Sequence, residues 1–438
     1  MFEEMFSQID FGALKEYLLN DDVTDISYSN GGQLWIKTLS RGIYRVDESP
    51  VDNAFMEKLA FQCSNAMGKS FNMAHPFLDA EGSELRLNFV HDSIARNGIA
   101  VLIRKTPAKI RLEKDKLLKE NYIDLDIHDF LIQCVKGHCN IMICGETGSG
   151  KTEFLKYLAA HTAEDEKLIT IEDTLELHLD RIFPHRDIVA MKTNNIAAYS
   201  DVLVTCMRQN PKWILLSEVR SAEAVMAVRN SISSGHYILS TIHAEKASSI
   251  PQRMYSLLET NQDIDQFLKS IYRYIQLGIY IRGYQDKVTK HFHREIGEVV
   301  EFYVTENNEA KTNTIYRKTT GGKVTRNQPS QYLIDYLDGQ GVTLDKNIIM
   351  SDDEVLKKQQ VNQALNNDIN NQIRMEQLMR SQQNINSGIS NVNQSIPNNV
   401  QPMMGHNTIT PNVGINSNNI NQNRPEVLFG DMSNNTNM

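Results

Sequence analysis

Hydrophobic and polar positions fall into three regimes along the chain. Up to about residue 108, apolar residues alternate with polar ones in short runs broken by turn signals: VTDISYSN before Gly31-Gly32, then QLWIKTL, RGIYRV, LRLNF and IAVLIRK. A period of two over runs of this length predicts strands with one buried face, and residues 54–66 (AFMEKLAFQCSNA) predict a helix among them. Residues 1–108 are therefore expected to form a mixed α+β domain. From Lys105 to Asn121 the pattern turns to charge, with Pro107 inside it and little apolar surface to bury, so residues 109–121 are expected to link two domains.

The second regime begins at Tyr122. Nearly continuous apolar runs, IMIC at 141, LIT at 168, WILLS at 213 and YILST at 237, alternate with helical stretches. Strands that are apolar on both faces and separated by helices predict a mainly parallel sheet covered on both sides. A helical stretch near 262–275 and β-like segments (IQLGIYI, EVVEFYV, NTIYRK) extend this second domain over residues 122–345. The expected fold class is α/β, with the smaller α+β domain in front.

The third regime is residues 346–438. Leu356, Val361, Leu365, Ile369 and Ile373 recur about every four residues, which predicts at most a marginal helix. From Ser351 onward 31 of 88 residues are Asn or Gln and Phe429 is the only aromatic, so the tail cannot bury a core and is expected to be mostly disordered.

Composition narrows the function. Of 438 residues 41% are hydrophobic and 23% charged, enough for two folded domains and a leftover. The net charge of −9, with 40 basic against 47 acidic residues over positions 1–350, has the wrong sign for neutralising phosphates along a nucleic acid, so direct nucleic-acid binding is not expected. Five cysteines make an odd count without a CxxC pair or zinc-finger spacing, and read as small buried hydrophobes in a reducing compartment. MFEEMFSQIDF lacks the basic start and apolar run of a signal peptide, and no 18 apolar residues run together. The expectation is a cytoplasmic protein without direct membrane insertion, peripherally held through partners.

Chemistry enters at the strand Ile141–Cys144, which runs into GETGSGKT and then the helical EFLKYLAAHT. Gly145, Glu146, Thr147, Gly148, Ser149, Gly150, Lys151 and Thr152 stand at the GxxxxGK[ST] spacing. Glycines let backbone N–H groups close around phosphates, the helix N-terminus adds partial positive charge, and Lys151 reaches the β and γ oxygens. Thr152 is placed to hold Mg2+ through its hydroxyl.

Downstream, WILLSEVR ends a strand in Glu218. A carboxylate there points into the ligand crevice of a parallel sheet and suits a group that orients or deprotonates water, although the same residue equally suits a cap for the helix RSAEAVMAVRN. LITIEDTLEL places Glu172 and Asp173 just past another strand, and GHYILSTIHA brackets a strand with His236 and His243. His236 reads as an ordinary structural histidine, whereas His243, at the strand's carboxyl end, is placed to meet a γ-phosphate.

Taken in order, GETGSGKT, IEDTLEL, NPKWILLSEVR and GHYILSTIHA resemble the secretion ATPases of type II and type IV systems, which drive secretion, conjugative transfer and type IV pilus assembly or retraction. The resemblance covers roughly residues 20–305, with weaker matches in VTDISYSN, PFLDAEGSELRLNFV, IAVLIRK and HREIGEVVEF. It implies a homohexameric ring in which each amino-terminal domain packs over a RecA-like ATPase domain with ATP bound between them. It further implies phosphate and Mg2+ binding by Lys151 and Thr152, an acidic box in which Glu172 supports the metal and its water, Glu218 as catalytic carboxylate and His243 as γ-phosphate contact. Arg86 and Arg104 match the family's amino-terminal arginines that reach the phosphates, with Arg96 a spare candidate; each also suits a strand residue facing solvent or a local carboxylate.

The chain departs from the pattern in two places. Ser217 replaces the usual glycine before the glutamate, and the histidine box is shorter than in the conjugation branch. GET and IEDTLEL favour the conjugation, type IV secretion and tight-adherence branch; the histidine box stands closer to type II and pilus motors. The implied partner is a membrane platform or coupling protein. Two other classes stay open: a P-loop kinase or nucleic-acid motor, and a nucleotide-binding scaffold with little turnover.

Overall fold

The structure, a computed structural model, describes residues 9–194, 197–258, 263–345 and 347–351, together with Glu354, Val355, Lys357 and Val361. The chain divides into two units at residue 364, and every described residue lies in the first. Most of the expected tail helix and of the Asn/Gln-rich stretch, including every residue after Val361, falls outside the described residues.

The first part begins with a short helix α1 (Leu14–Leu19), then β1 (Val23–Ser29), β2 (Gln33–Thr38) and β3 (Gly42–Arg45), and a longer helix α2 (Asn53–Met67). Strands β4 (Phe77–Glu81), β5 (Leu85–Val90) and β6 (Ala100–Lys105) complete it. The Asp52 side chain caps α2 by accepting from the Phe55 N–H at 2.9 Å, and Gly68 closes its carboxyl end in the left-handed region. The six strands form one antiparallel sheet in the order β3-β2-β1-β6-β5-β4. Alternation sends Ile26, Tyr28, Leu34, Ile36, Leu87, Phe89, Val101 and Ile103 to the face covered by Met56, Leu59 and Cys63 of α2. The opposite face carries one row in register across all six strands: Ile43, Lys37, Asp25, Arg104, Arg86 and Glu81.

The charged connection is more structured than its composition predicts. It contains a helix α3 (Lys114–Lys119) whose Leu117 is buried, with Ile110 and Leu112 packed on the core beyond it. The second part then alternates α4 (Leu125–Lys136), β7 (Ile141–Gly145), α5 (Lys151–Ala159), β8 (Leu168–Glu172), α6 (Leu179–Ile182), β9 (Ile188–Lys192), α7 (Tyr199–Met207), β10 (Trp213–Val219), α8 (Ala222–Ser233) and β11 (Tyr237–Ile242). Helices α9 (Ile250–Leu257) and α10 (Ile264–Tyr274) lead to β12 (Leu277–Gln285), β13 (Phe292–Val304), β14 (Ala310–Lys318), β15 (Val324–Arg326) and α11 (Gln331–Gly339).

The nine strands lie in the order β15-β14-β13-β12-β7-β11-β10-β8-β9; the six from β12 to β9 are parallel and the rest antiparallel. Successive strand residues feed two separate cores. Ile141, Ile143, Trp213, Leu215 and Leu239 pack with α4 and α5 on one side, while Met142, Cys144, Ile214, Leu216 and Ile238 pack with α7 to α10 on the other. All five cysteines are buried as free thiols. Residues 347–351 belong to this domain's packing: Ile349 is buried, its carbonyl accepts from the Gln328 side chain at 2.6 Å, and the Met350 N–H donates to Asp126 at 3.0 Å. No helix of the described residues is long and apolar enough to cross a membrane.

Candidate functional site

The turn from β7 into α5 is the glycine-rich loop. Gly148 and Gly150 take φ of +82° and +95°, a region that only glycine adopts without strain, just before the helix starts at Lys151. Lys151 is almost fully buried and donates to the carbonyls of Gly145 and Glu146, both at 3.0 Å. Burial pushes its amine below the usual lysine range, opposed by the negative charges of Glu218 and Glu176. The Ser149 hydroxyl is buried with no hydrogen-bond partner among the described residues. A lysine held only by its own loop's carbonyls, beside an unpaired hydroxyl, is able to turn to an anionic ligand.

Above the loop lies a cavity of about 370 Å³ between the two parts of the unit. Thr147, Gly148, Gly150, Lys151 and Thr152 form its floor, and Lys37, Asp25 and Arg104 of the charged sheet row form its roof. Eight basic and five acidic side chains line it, the reverse of the chain's overall balance. Arg104 Nε donates to Asp25 at 2.8 Å; burial would lower its guanidinium, but the hydrogen bond and charge of Asp25 raise it. Arg86 sits beside Arg104 in the same row, and its charge acts on Glu176 and Arg220. Arg96 is exposed on the turn between β5 and β6.

Glu172 ends β8 fully buried, and its carboxylate accepts from the N–H groups of Glu176 at 2.8 Å and Leu177 at 3.1 Å and from the Thr170 hydroxyl at 3.2 Å. Burial pushes its pKa up to about 7, against the pull of those donors. The carboxylate thus braces the loop that follows it. Glu176, one turn of that loop later, lines the cavity with Lys151, Thr152 and Arg104. Burial raises its pKa; Arg104 opposes the shift and the Glu218 charge adds to it. Asp173 pairs with Arg220.

Glu218 ends β10 and meets His243, at the end of β11, with 2.6 Å between Oε1 and Nε2. Neither lines the cavity, yet the Glu218 charge acts on Lys151, Arg104 and Glu176. His236 sits at the far end of β11, its Nδ1 2.9 Å from the Pro211 carbonyl. Of the sequence candidates, the structure therefore gathers Thr147, Gly148, Gly150, Lys151, Thr152 and Arg104 on one cavity and holds Arg86, Glu172, Glu218 and His243 around it.

Two seams join the parts on either side of this cavity. At one, Glu81 accepts from the Leu175 N–H at 3.1 Å and pairs with Lys192, Arg181 donates to the Ser83 carbonyl at 3.1 Å, and the ring of His178 lies 3.3 Å from the Thr106 hydroxyl. At the other, the β12–β13 hairpin grips the β2–β3 turn: Phe292 N–H donates to the Ser40 carbonyl at 2.7 Å, the Gln285 amide to Arg41 at 2.7 Å, and Arg294 to Leu39 at 3.0 Å. Arg294 also donates to the Gly148 carbonyl at 3.4 Å. Sequence reasoning missed Lys37, Glu176 and Arg294. The alternation of β2 could have flagged Lys37, since it puts Lys37 opposite the buried Leu34 and Ile36.

Similarity to known proteins follows the same residues. An uncharacterised protein of Bacillus anthracis is 29% identical over 307 residues, covering 69% of each chain. A putative conjugal transfer protein of Mycobacterium tuberculosis is 26% identical over 260 residues, 56% of this chain and 72% of that one. The type IV secretion system protein VirB11 of Bartonella quintana is 36% identical over 148 residues, 32% of this chain and 40% of its own length. Residues 83–317, more than half the chain, match the family described as Type II/IV secretion system protein, and this span holds the glycine-rich loop, the braced acidic loop and the Glu218–His243 pair. By that match and by the motifs it contains, the chain belongs to the type II/IV secretion system protein family.

Proposed function

We propose that this chain is a Mg2+-dependent ATPase, acting as one subunit of a homohexameric ring that powers a secretion, conjugative-transfer or pilus machine. The observation that carries the reading is the cavity itself: a glycine-rich loop with a buried lysine faces Lys37 and Arg104 of the charged sheet row across it, and the charge of the Glu218 carboxylate acts on that lysine.

On this reading Lys151 leaves the Gly145 and Glu146 carbonyls for the β and γ oxygens, and Arg104 turns part of its guanidinium from Asp25 toward the γ-phosphate. A bound Mg2+ would neutralise charge between the β and γ oxygens. Thr152 and Glu176 are the residues at hand to hold it, a hard oxygen set that suits this ion. Glu218, released from His243, orients the attacking water and takes its proton as the bond to the γ-phosphorus forms and the β–γ bridge breaks. Glu172 serves this site by holding the acidic loop in place.

The two seams supply the link to work. Both bind the amino-terminal part to segments that touch the nucleotide cavity, so a change at the phosphates is felt as a change in domain position. The machine, its membrane platform or coupling protein, and residence at the cytoplasmic face of the membrane are carried over from the family. Steady-state phosphate release from the purified full chain tests the enzyme. ATP with Mg2+ should be hydrolysed, chelation should stop turnover, and Lys151→Ala should lose nucleotide binding itself. A Lys151→Ala protein that hydrolyses ATP as the wild type does would overturn the site.

A further inference from the structure

Besides Lys151, Thr152 and Arg104, the cavity wall carries Leu39, Arg111, Leu112, Tyr122, Phe292 and Arg294, the last of which also reaches the Gly148 carbonyl. The Arg294 guanidinium lies over the Phe292 ring, 4.6 Å from its centroid, and Leu39 and Leu112 add apolar surface. Flat apolar surface with a few fixed donors suits an aromatic base better than another phosphate.

Two side chains of this wall carry buried donors with no partner among the described residues: Arg111, through Nε and Nη2, and Tyr122, through its hydroxyl. Nε and Nη2 form the side-on edge of a guanidinium, the pair that meets a planar acceptor edge in two parallel hydrogen bonds. Buried donors are nearly always paired, so two side chains of one cavity wall with unpaired donors ask for a ligand there. Arg111 belongs to the connection between the two parts, where its charge had suggested only a solvated linker.

We propose that Arg111, with Tyr122 beside it, reads the acceptor edge of the nucleobase. The connecting segment, rather than the glycine-rich loop, then distinguishes a nucleoside triphosphate from a bare polyphosphate. This rests on the cavity being a nucleoside triphosphate site. Titration calorimetry on the full chain, with MgATP and magnesium tripolyphosphate as probes, tests it. Arg111→Met should weaken ATP binding about ten- to a hundredfold, the range of a hydrogen bond to a charged group, and leave tripolyphosphate binding unchanged. Arg111→Lys should not restore ATP binding, because an ammonium lacks the planar pair of parallel donors. Should the methionine variant fail to fold, Arg111→Gln, which stays polar but is too short and uncharged to present the same donor pair, gives the same answer. Equal losses on both probes in a folded variant would make Arg111 a phosphate ligand and overturn the inference, as would no loss on either. A wild type that binds neither probe would sink the nucleotide reading and this inference with it.

Discussion

Glu172 and Glu176 sit four residues apart and have different surroundings. Glu172 is fully buried with three donors on its carboxylate, while Glu176 lines the cavity beside Thr152. Because burial raises Glu172 to about 7 from an ordinary 4.5, the folded chain holds a proton there that the unfolded chain has lost. Stability from this group is full below pH 4.5, falls as pH rises toward 7 and is flat above. Glu172→Gln, which keeps the acceptor and cannot ionise, should remove that slope. Denaturation midpoints of both proteins between pH 4.5 and 8 should diverge, the variant gaining as pH rises, whereas parallel curves would contradict the burial argument. Lys151 and Thr152 are legible from spacing alone, because the phosphate loop demands those residue types at those intervals. Glu176 is not, since IEDTLEL offers three carboxylates and only the fold of its loop decides which of them faces the cavity.

Strands and helices were legible wherever period two or a continuous apolar run marks them, as in VTDISYS, IMIC and WILLS. What periodicity lacks is register between distant segments. The row Lys37, Asp25, Arg104, Arg86 exists because β1, β2, β5 and β6 pair in one register, and Asp25 and Arg104 lie 79 residues apart. The hairpin grip on the β2–β3 turn is hidden for the same reason. Close approach between strands also explains Gly145: a Cβ there would stand 2.2 Å from the Ile281 carbonyl oxygen, across the β7–β12 ladder. Gly145→Ala should therefore cost roughly 2–3 kcal/mol as the strands are forced apart. Urea unfolding reads the effect, and an unchanged midpoint would mean that β12 yields without loss. The connection from Lys105 to Asn121 was misleading at this scale, because Leu117 and the fork of Arg111 are single buried groups inside a charged run.

For the whole molecule, an acidic chain concentrates positive charge in one interdomain cavity and ties its walls together through two seams built from segments that also form that cavity. On the proposed ATPase reading one group must act on the attacking water, and we assign that role to Glu218, whose charge reaches Lys151, Arg104 and Glu176. The most direct measurement pairs steady-state phosphate release with equilibrium MgATP binding for the wild type and Glu218→Gln. Turnover should fall at least about a hundredfold, as for loss of a general base, while ATP affinity stays within a few-fold. Equal turnover in the two proteins would contradict the assignment of this chain as an ATPase that works through Glu218.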